Sequence, residues 1–328
     1  MVAYLALALA SVALPLVTRD SYYLDVATNI LMNLVLTMSL QLEMSTGQVN
    51  MAHISFMGIG AYASALLVMK LGSSFWAALW IAGVLAAAVA VPIGGMALRL
   101  TGPYYFLITF AFSEVVRLIF NNFFVGTFGG TSGIVDIPKP DPMLWFGYRL
   151  FFAGKLELYL LMVALFLPVA AILVRLECSR FGLISNAIRQ RDQLAETLGI
   201  DVLRHRLAAF VIGSFMAGLA GAFFAHSHQV LHSNDFSLEP MVLLVVFTVI
   251  GGVGSVWGAV AGTVVLTIVT ELMRELRHYQ TLVLGAVLIL TMLMVPEGLI
   301  SLPARVGRSL RGRGPGNEAD AMRIDVAT

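Results

Sequence analysis

Charge is scarce in this sequence, cysteine almost missing, and the short motifs of nucleotide and metal chemistry are not there at all. Only 12% of its 328 residues are Asp, Glu, Lys or Arg, against roughly 25% in an ordinary soluble domain. Twenty basic residues offset nineteen acidic ones for a net charge of +1. That leaves no basic field for nucleic acid and no acidic excess of the kind that keeps a chain solvated and unfolded. One cysteine, Cys178, excludes an internal disulfide. His, Cys and acidic residues do not cluster at metal-ligand spacing, and His-Glu-x-x-His does not occur. Nor does Gly-x-x-x-x-Gly-Lys-Ser/Thr, so nucleotide phosphates have no cradle of the usual kind.

What the chain has instead is apolar length: 59% of its residues are hydrophobic and its mean hydropathy is +0.88. Predominantly apolar runs cover residues 2–17, 26–44, 51–69, 75–98, 103–124, 156–176, 207–225, 241–251, 256–269 and 281–295. At about 20 residues per crossing, they predict an all-α, polytopic transmembrane helix bundle. Ten segments is the working count, or eight to nine if the short ones are re-entrant. The first run lacks a positive leader region and an Ala-x-Ala site, so it reads as a helix and not as a signal peptide. Residues 125–155, rich in Gly and Pro, are too polar to span and too long for a plain turn. The organisation is therefore a membrane domain over 1–302 and a polar tail over 303–328.

Charge placement orients the bundle. Segment 175–206 holds six arginines and the tail five, eleven of the twenty basic residues. The positive-inside bias puts both in the cytoplasm, with the amino terminus beside them and residues 125–155 outside. Within the cytoplasmic segment 177–201, Ile184, Ala187, Ile188, Arg191, Leu194, Ala195 and Leu198 recur at helical spacing, with Gly199 as a stop. This predicts one short amphipathic helix over 184–198. It either caps the bundle at the interface or docks a cytoplasmic partner.

Polar residues inside apolar runs carry the remaining information, because a charge at the bilayer centre costs about 2.5–3.5 kcal/mol even on the mildest scale. Glu114 and Arg117, three apart on one face, are expected to form a buried ion pair. Glu43 sits close enough to a break to be interfacial. His53 reads either as a buried imidazole hydrogen-bonded to a backbone carbonyl or, with Asn50, as part of a translocation path. Gly254, Gly258 and Gly262 lie four apart, the small-residue spacing that lets helices approach closely in lipid. Together with Gly251 and Gly252 they are expected to pack helices and to unwind one between the two short runs.

Six motifs in order resemble the LivM-type permeases of branched-chain amino acid ABC transporters. They are Gly47-Gln-Val-Asn-Met-Ala-His53 through Tyr62, Gly102-Pro-Tyr-Tyr-Phe with Phe112-Ser-Glu114, Gly129-Gly-Thr-Ser-Gly133, Ser179-Arg-Phe-Gly182 with Ala195-Glu-Thr-Leu-Gly199, Ala217-Gly-Leu-Ala-Gly221, and Gly251-Gly-Val-Gly-Ser255. The departure is local: Asn50-Met51-Ala52 stands where the family usually has Ser-Leu-Gly. The resemblance implies an ATPase-coupling segment containing Arg180, Gly182, Ile184, Ala187, Ile188, Arg189, Ala195, Glu196 and Gly199. It also implies a second related permease chain, two cytoplasmic ATPase subunits and an extracytoplasmic substrate-binding protein. The protein would be a multi-pass transport subunit of the inner membrane, not an enzyme. No cofactor would be bound by this chain, ATP being held by the partner subunits. The expected function is import of branched-chain or related small amino acids, with urea or short amides as alternative substrates.

Two other classes are open to test. An ATPase-independent secondary transporter or channel should show ionisable pairs along a path, which are few here. An intramembrane serine protease is suggested only by Gly130-Thr-Ser132-Gly133, with His226 and His278 downstream. Ser132 runs on into an Asp- and Pro-rich loop and not into a buried helix, which argues against a nucleophile.

Overall fold

The computed structural model describes residues 2–17, 20–145, 148–152, 154–273 and 285. The predicted run at 281–295, the tail at 303–328 and His278 lie outside the described residues. The helices are α1 Val2–Val17, α2 Ser21–Met44, α3 His53–Leu71, α4 Phe75–Ala97, α5 Pro103–Asn122, α6 Val125–Phe128, α7 Lys155–Glu177, α8 Arg180–Gln190, α9 Asp192–Thr197, α10 Val202–His228, α11 Leu238–Gly251 and α12 Val256–Leu272. Short 3-10 turns lie at Gly130–Ser132 and Ser233–Phe236. Among the described residues seven segments are long and apolar enough to cross a membrane, and α1 and α12 are shorter apolar helices.

Local chemistry sets many of the helix starts. Asp20 accepts from the Tyr22 amide at the start of α2, and Asp201 from the Arg204 amide at the start of α10. Pro103 occupies the first turn of α5, where its missing N–H has no cost. The start of α4 is capped twice: by Ser74 next to it, and by the distant Asp141, whose carboxylate accepts the Phe75 amide at 2.8 Å. That second cap ties the 125–155 connection to the bundle. The same connection bridges Ile134 to Leu231 at the end of α10. It also contains a two-stranded antiparallel hairpin, β1 Met143–Trp145 with β2 Tyr148–Leu150, which the helical reading of the sequence did not anticipate.

At the centre, α10 packs along α3 and α4, and α2 fits between α10 and α7. In lipid no hydrophobic effect drives helices together, so close fit must do so. The α3–α10 crossing achieves it by bringing backbones into contact. A Cβ on Gly60 would overlap the Gly218 backbone, and one on Gly221 would overlap the Met57 carbonyl.

The breaks at 45–52, 98–102, 178–201 and 252–255 gather at one end of the bundle, the arginine-rich end. The connection at 123–154 and the turn at 229–237 form the other. Helices α11 and α12 therefore make a full hairpin between the two ends, in agreement with counting the short runs as two. Their seam is built by glycine: a Cβ on Gly251 would overlap the Gly258 carbonyl, and one on Gly262 the Phe247 carbonyl. Gly252, at φ +114°, makes the turn. Gly254 is not a packing glycine; it lies in that turn, facing the Arg189 guanidinium.

Two sequence expectations need correcting at this end. The helix predicted over 184–198 is two helices, α8 and α9, broken at Arg191, whose backbone is extended at φ −156° and ψ 101°. Helix α10 starts at Val202, five residues before the predicted run at 207, because Asp201 caps it and because Arg204 and Arg206 extend from its first turns.

Candidate functional site

The break between α2 and α3 brings four polar side chains together inside the bundle. His53 Nδ1 lies 3.0 Å from Glu43 Oε1, and its Nε2 lies 3.0 Å from Ser39 Oγ. Asn50 donates to the other Glu43 oxygen at 2.6 Å and accepts the Ala52 amide at 2.7 Å. Thr109 of α5 accepts the Met51 amide at 3.2 Å. The buried backbone of the break is thus satisfied by side chains. Asn50, in the stretch where this chain departs from the family pattern, accepts one backbone amide and ties the break to Glu43.

Burial here is nearly complete, with Asn50 and His53 at 0% exposure and Glu43 at 4%. Glu43, beside the break, is therefore enclosed by protein, and His53 is held by side chains, not by a backbone carbonyl. Gly213 makes room for the carboxylate, since a Cβ there would overlap Glu43 Oε1. Ser39, His53 and Glu43 have the connectivity of a hydrolytic triad. Ser39, however, is fully buried and its hydroxyl is within bonding distance of the Val35 and Leu36 carbonyls, which leaves no approach for a substrate. The sequence singled out Asn50, His53 and Glu43 separately; it held no signal that joined them to Ser39.

The second assembly is the arginine-rich segment. Ser179 caps α8, and Ile188, Ala195 and Val202 form a small buried cluster with Ile184 and Ile200. Gly182 is buried at a tight turn where a Cβ would overlap the Glu177 carbonyl. Gly199, at φ +83°, ends the segment. One side of the segment is seated on the two breaks. Gly47 lies against Arg189, where a Cβ would come within 3.3 Å of the Arg189 Cα. Arg206 points its guanidinium at the Thr46 carbonyl, and Glu177 accepts the Val256 amide at 2.8 Å. The other side is bare: Leu183, Leu194 and Leu198 are 71%, 58% and 75% exposed. Arg180, Ala187 and Glu196 are exposed beside them.

The predicted ion pair exists but is not buried. Arg117 Nε lies 3.0 Å from both Glu114 oxygens, and its Nη1 reaches Asn234 Oδ1 at 3.2 Å. The two side chains keep 21% (Arg117) and 37% (Glu114) of their surface. Ser132 is exposed in its 3-10 turn. His226 is fully buried elsewhere, bonded to Ser64 and the Pro138 carbonyl. Among the described residues Ser132 is not hydrogen-bonded to a histidine.

The profile of the family described as branched-chain amino acid transport system, permease component, matches residues 22–292. The chain belongs to this family. It is 31% identical over 335 residues to the high-affinity branched-chain amino acid transport system permease protein LivM of Salmonella typhimurium, covering 96% of this chain and 78% of that protein. LivM of Escherichia coli is equally similar, at 31% over 334 residues. The permease protein LivH of Escherichia coli is 29% identical over 143 residues, 43% of this chain and 46% of that protein. No solved structure matches the chain. Membership makes this protein a transport permease and not an enzyme, and with its apolar helices a multi-pass protein of the inner membrane.

Proposed function

We propose that this permease is one of two related membrane subunits of an ATP-driven importer of branched-chain amino acids. An extracytoplasmic binding protein delivers the solute, and two cytoplasmic ATPase subunits bind and hydrolyse ATP. The permease itself holds no cofactor. Its relatives' names supply the substrate class, and their two kinds, LivM and LivH, support a pair of unlike permeases.

One observation carries the energy-coupling part of the reading: segment 177–201 is seated on both helix breaks and exposes leucines on its free side. Leu183, Leu194 and Leu198 are the large apolar groups a partner would cover. A shift of α8 would press on Gly47 through Arg189, and a shift of α9 would pull on the Thr46 carbonyl through Asp192 and Arg206. Either motion reaches the break that holds Asn50 and His53. Coupling of this kind is reciprocal, so solute delivery outside would change ATPase binding inside.

Co-purification tests the reading. Tagged permease expressed with its neighbouring genes is expected to bring down two ATPase chains and a second permease. Leu194→Glu with Leu198→Glu is expected to abolish ATPase recovery and uptake while leaving the fold within about 0.5 kcal/mol, since both side chains are exposed. Wild-type complexes without ATPase, or full uptake by the double variant, would overturn it.

A further inference from the structure

The helix α5 is the least covered long span: 28% of its apolar stretch is buried, against 67% for α10. Its uncovered surface divides into two strips by helical spacing. Leu107, Ala111, Val115 and Leu118 form an exposed apolar face. Beside it, Phe106, Phe110, Glu114, Arg117 and Asn121 follow one another at intervals of three or four along a half-covered flank. This flank starts at an open cavity of about 350 Å³ at the arginine-rich end, lined by Gly47, Gln48, Val49, Gly102, Tyr105 and Phe106. It ends at the opposite side on Asn234 and Ser233, which bond Arg117 and Asn121.

Glu114 lies close to the middle of a 20-residue span, and Arg117 one turn nearer the end that meets Asn234. Lipid tails cannot solvate an ion pair that keeps a fifth to a third of its surface, so protein or water must cover it. The carboxylate at the arginine-rich end, Glu43 with His53, is sealed inside the bundle. Among the described residues, the α5 flank is therefore an ionised surface within a span that a zwitterionic solute could meet.

We infer that the apolar face of α5 is the seam with the second, LivH-like permease, and that the Phe106–Asn121 flank beside it lines the translocation path along that seam. The inference rests on the two-permease reading above. The occupant is chosen because this chain matches both kinds of permease, so an unlike but homologous partner can offer the equivalent helix across a pseudo-two-fold axis. Apolar faces then pack on each other, and the flanks of the two α5 helices enclose a polar track. Along it, Glu114 offers a carboxylate to the solute's ammonium and Arg117 a guanidinium to its carboxylate.

Photo-reactive amino acids placed at Leu107, Val115 and Leu118 in membranes holding the whole complex test the seam, with the similarly exposed Val84 and Val91 of α4 as controls. In a Cys178→Ser background, Phe110→Cys tests the path with a charged, membrane-impermeant thiol reagent. The expected result is adducts to the second permease from α5 but not from α4, and labelling of Phe110→Cys. If the second permease co-purifies yet α5 probes attach only to lipid, the inference fails while the two-permease reading stands. Adducts between two copies of this chain would overturn the choice of occupant, and an unlabelled Phe110→Cys the path. A complex without a second permease would overturn the reading and the inference together.

Discussion

Arg206 and Thr46 are 160 residues apart in sequence, yet Nε and Nη2 of the arginine both lie 3.4 Å from the threonine carbonyl. This contact joins the first turns of α10 to the break between α2 and α3. The same guanidinium lies 3.6 Å from Asp192 Oδ2, so the short helix α9 is held through it as well.

Removing that link should loosen two segments together. Arg206→Ala is expected to leave the buried Thr46 carbonyl unpaired and to destabilise the protein by about 1–3 kcal/mol. Hydrogen exchange by mass spectrometry should show faster exchange at both 44–52 and 192–200. Arg206→Lys should rescue only part, because an ammonium lacks the rigid planar fork with which the guanidinium spans the two acceptors. Acceleration confined to one segment would contradict the shared anchor.

Glu43 and His53 should behave as one unit. Each alanine substitution strips a buried partner from the other, which for a buried pair costs about 3–5 kcal/mol. The double variant is expected to lose much less than the sum of the singles, as in other directly coupled pairs. Thermal unfolding of the purified protein reads this directly, and additive losses would show that the 3.0 Å contact does not couple them.

Glycines of one type should divide by what faces them. Gly258→Ala puts a methyl against the Gly251 and Gly252 carbonyls and is expected to cost about 1–3 kcal/mol, as overpacking does. Gly95→Ala in α4 meets nothing within 4 Å and should stabilise by about 0.5–1 kcal/mol through the lost freedom of the unfolded chain. Unfolding midpoints of the two variants should move in opposite directions.

Glu177 connects the end of α7 to the start of α12 by accepting the Val256 amide at 2.8 Å. Glu177→Ala is expected to cost about 1 kcal/mol, the usual worth of a helix cap, and Glu177→Gln less, since the amide oxygen still accepts. Exchange at the first turn of α12 should rise with the alanine variant and much less with the glutamine one.

Much of this protein could be read from its sequence. Runs of about 20 apolar residues leave the backbone no partner but itself in lipid, so the helices follow from composition alone. The arginines at 175–206 marked one end of the bundle, and the spacing of Gly258 and Gly262 marked a seam, because both are local patterns. The split at Arg191 was less legible: apolar spacing continues through it, and only the pull of Arg206 on Asp192 on one side and the Ile188–Ala195–Val202 cluster on the other make a bend the better fit. Tertiary structure alone decided that Glu43, His53, Ser39 and Asn50 converge, with Gly213 of α10 clearing the space for the carboxylate. It also decided that Glu114 and Arg117 remain partly uncovered, when pairing alone had suggested a buried couple. Helical periodicity states which side of a helix is polar; which neighbour, if any, covers that side is settled only when the helices pack.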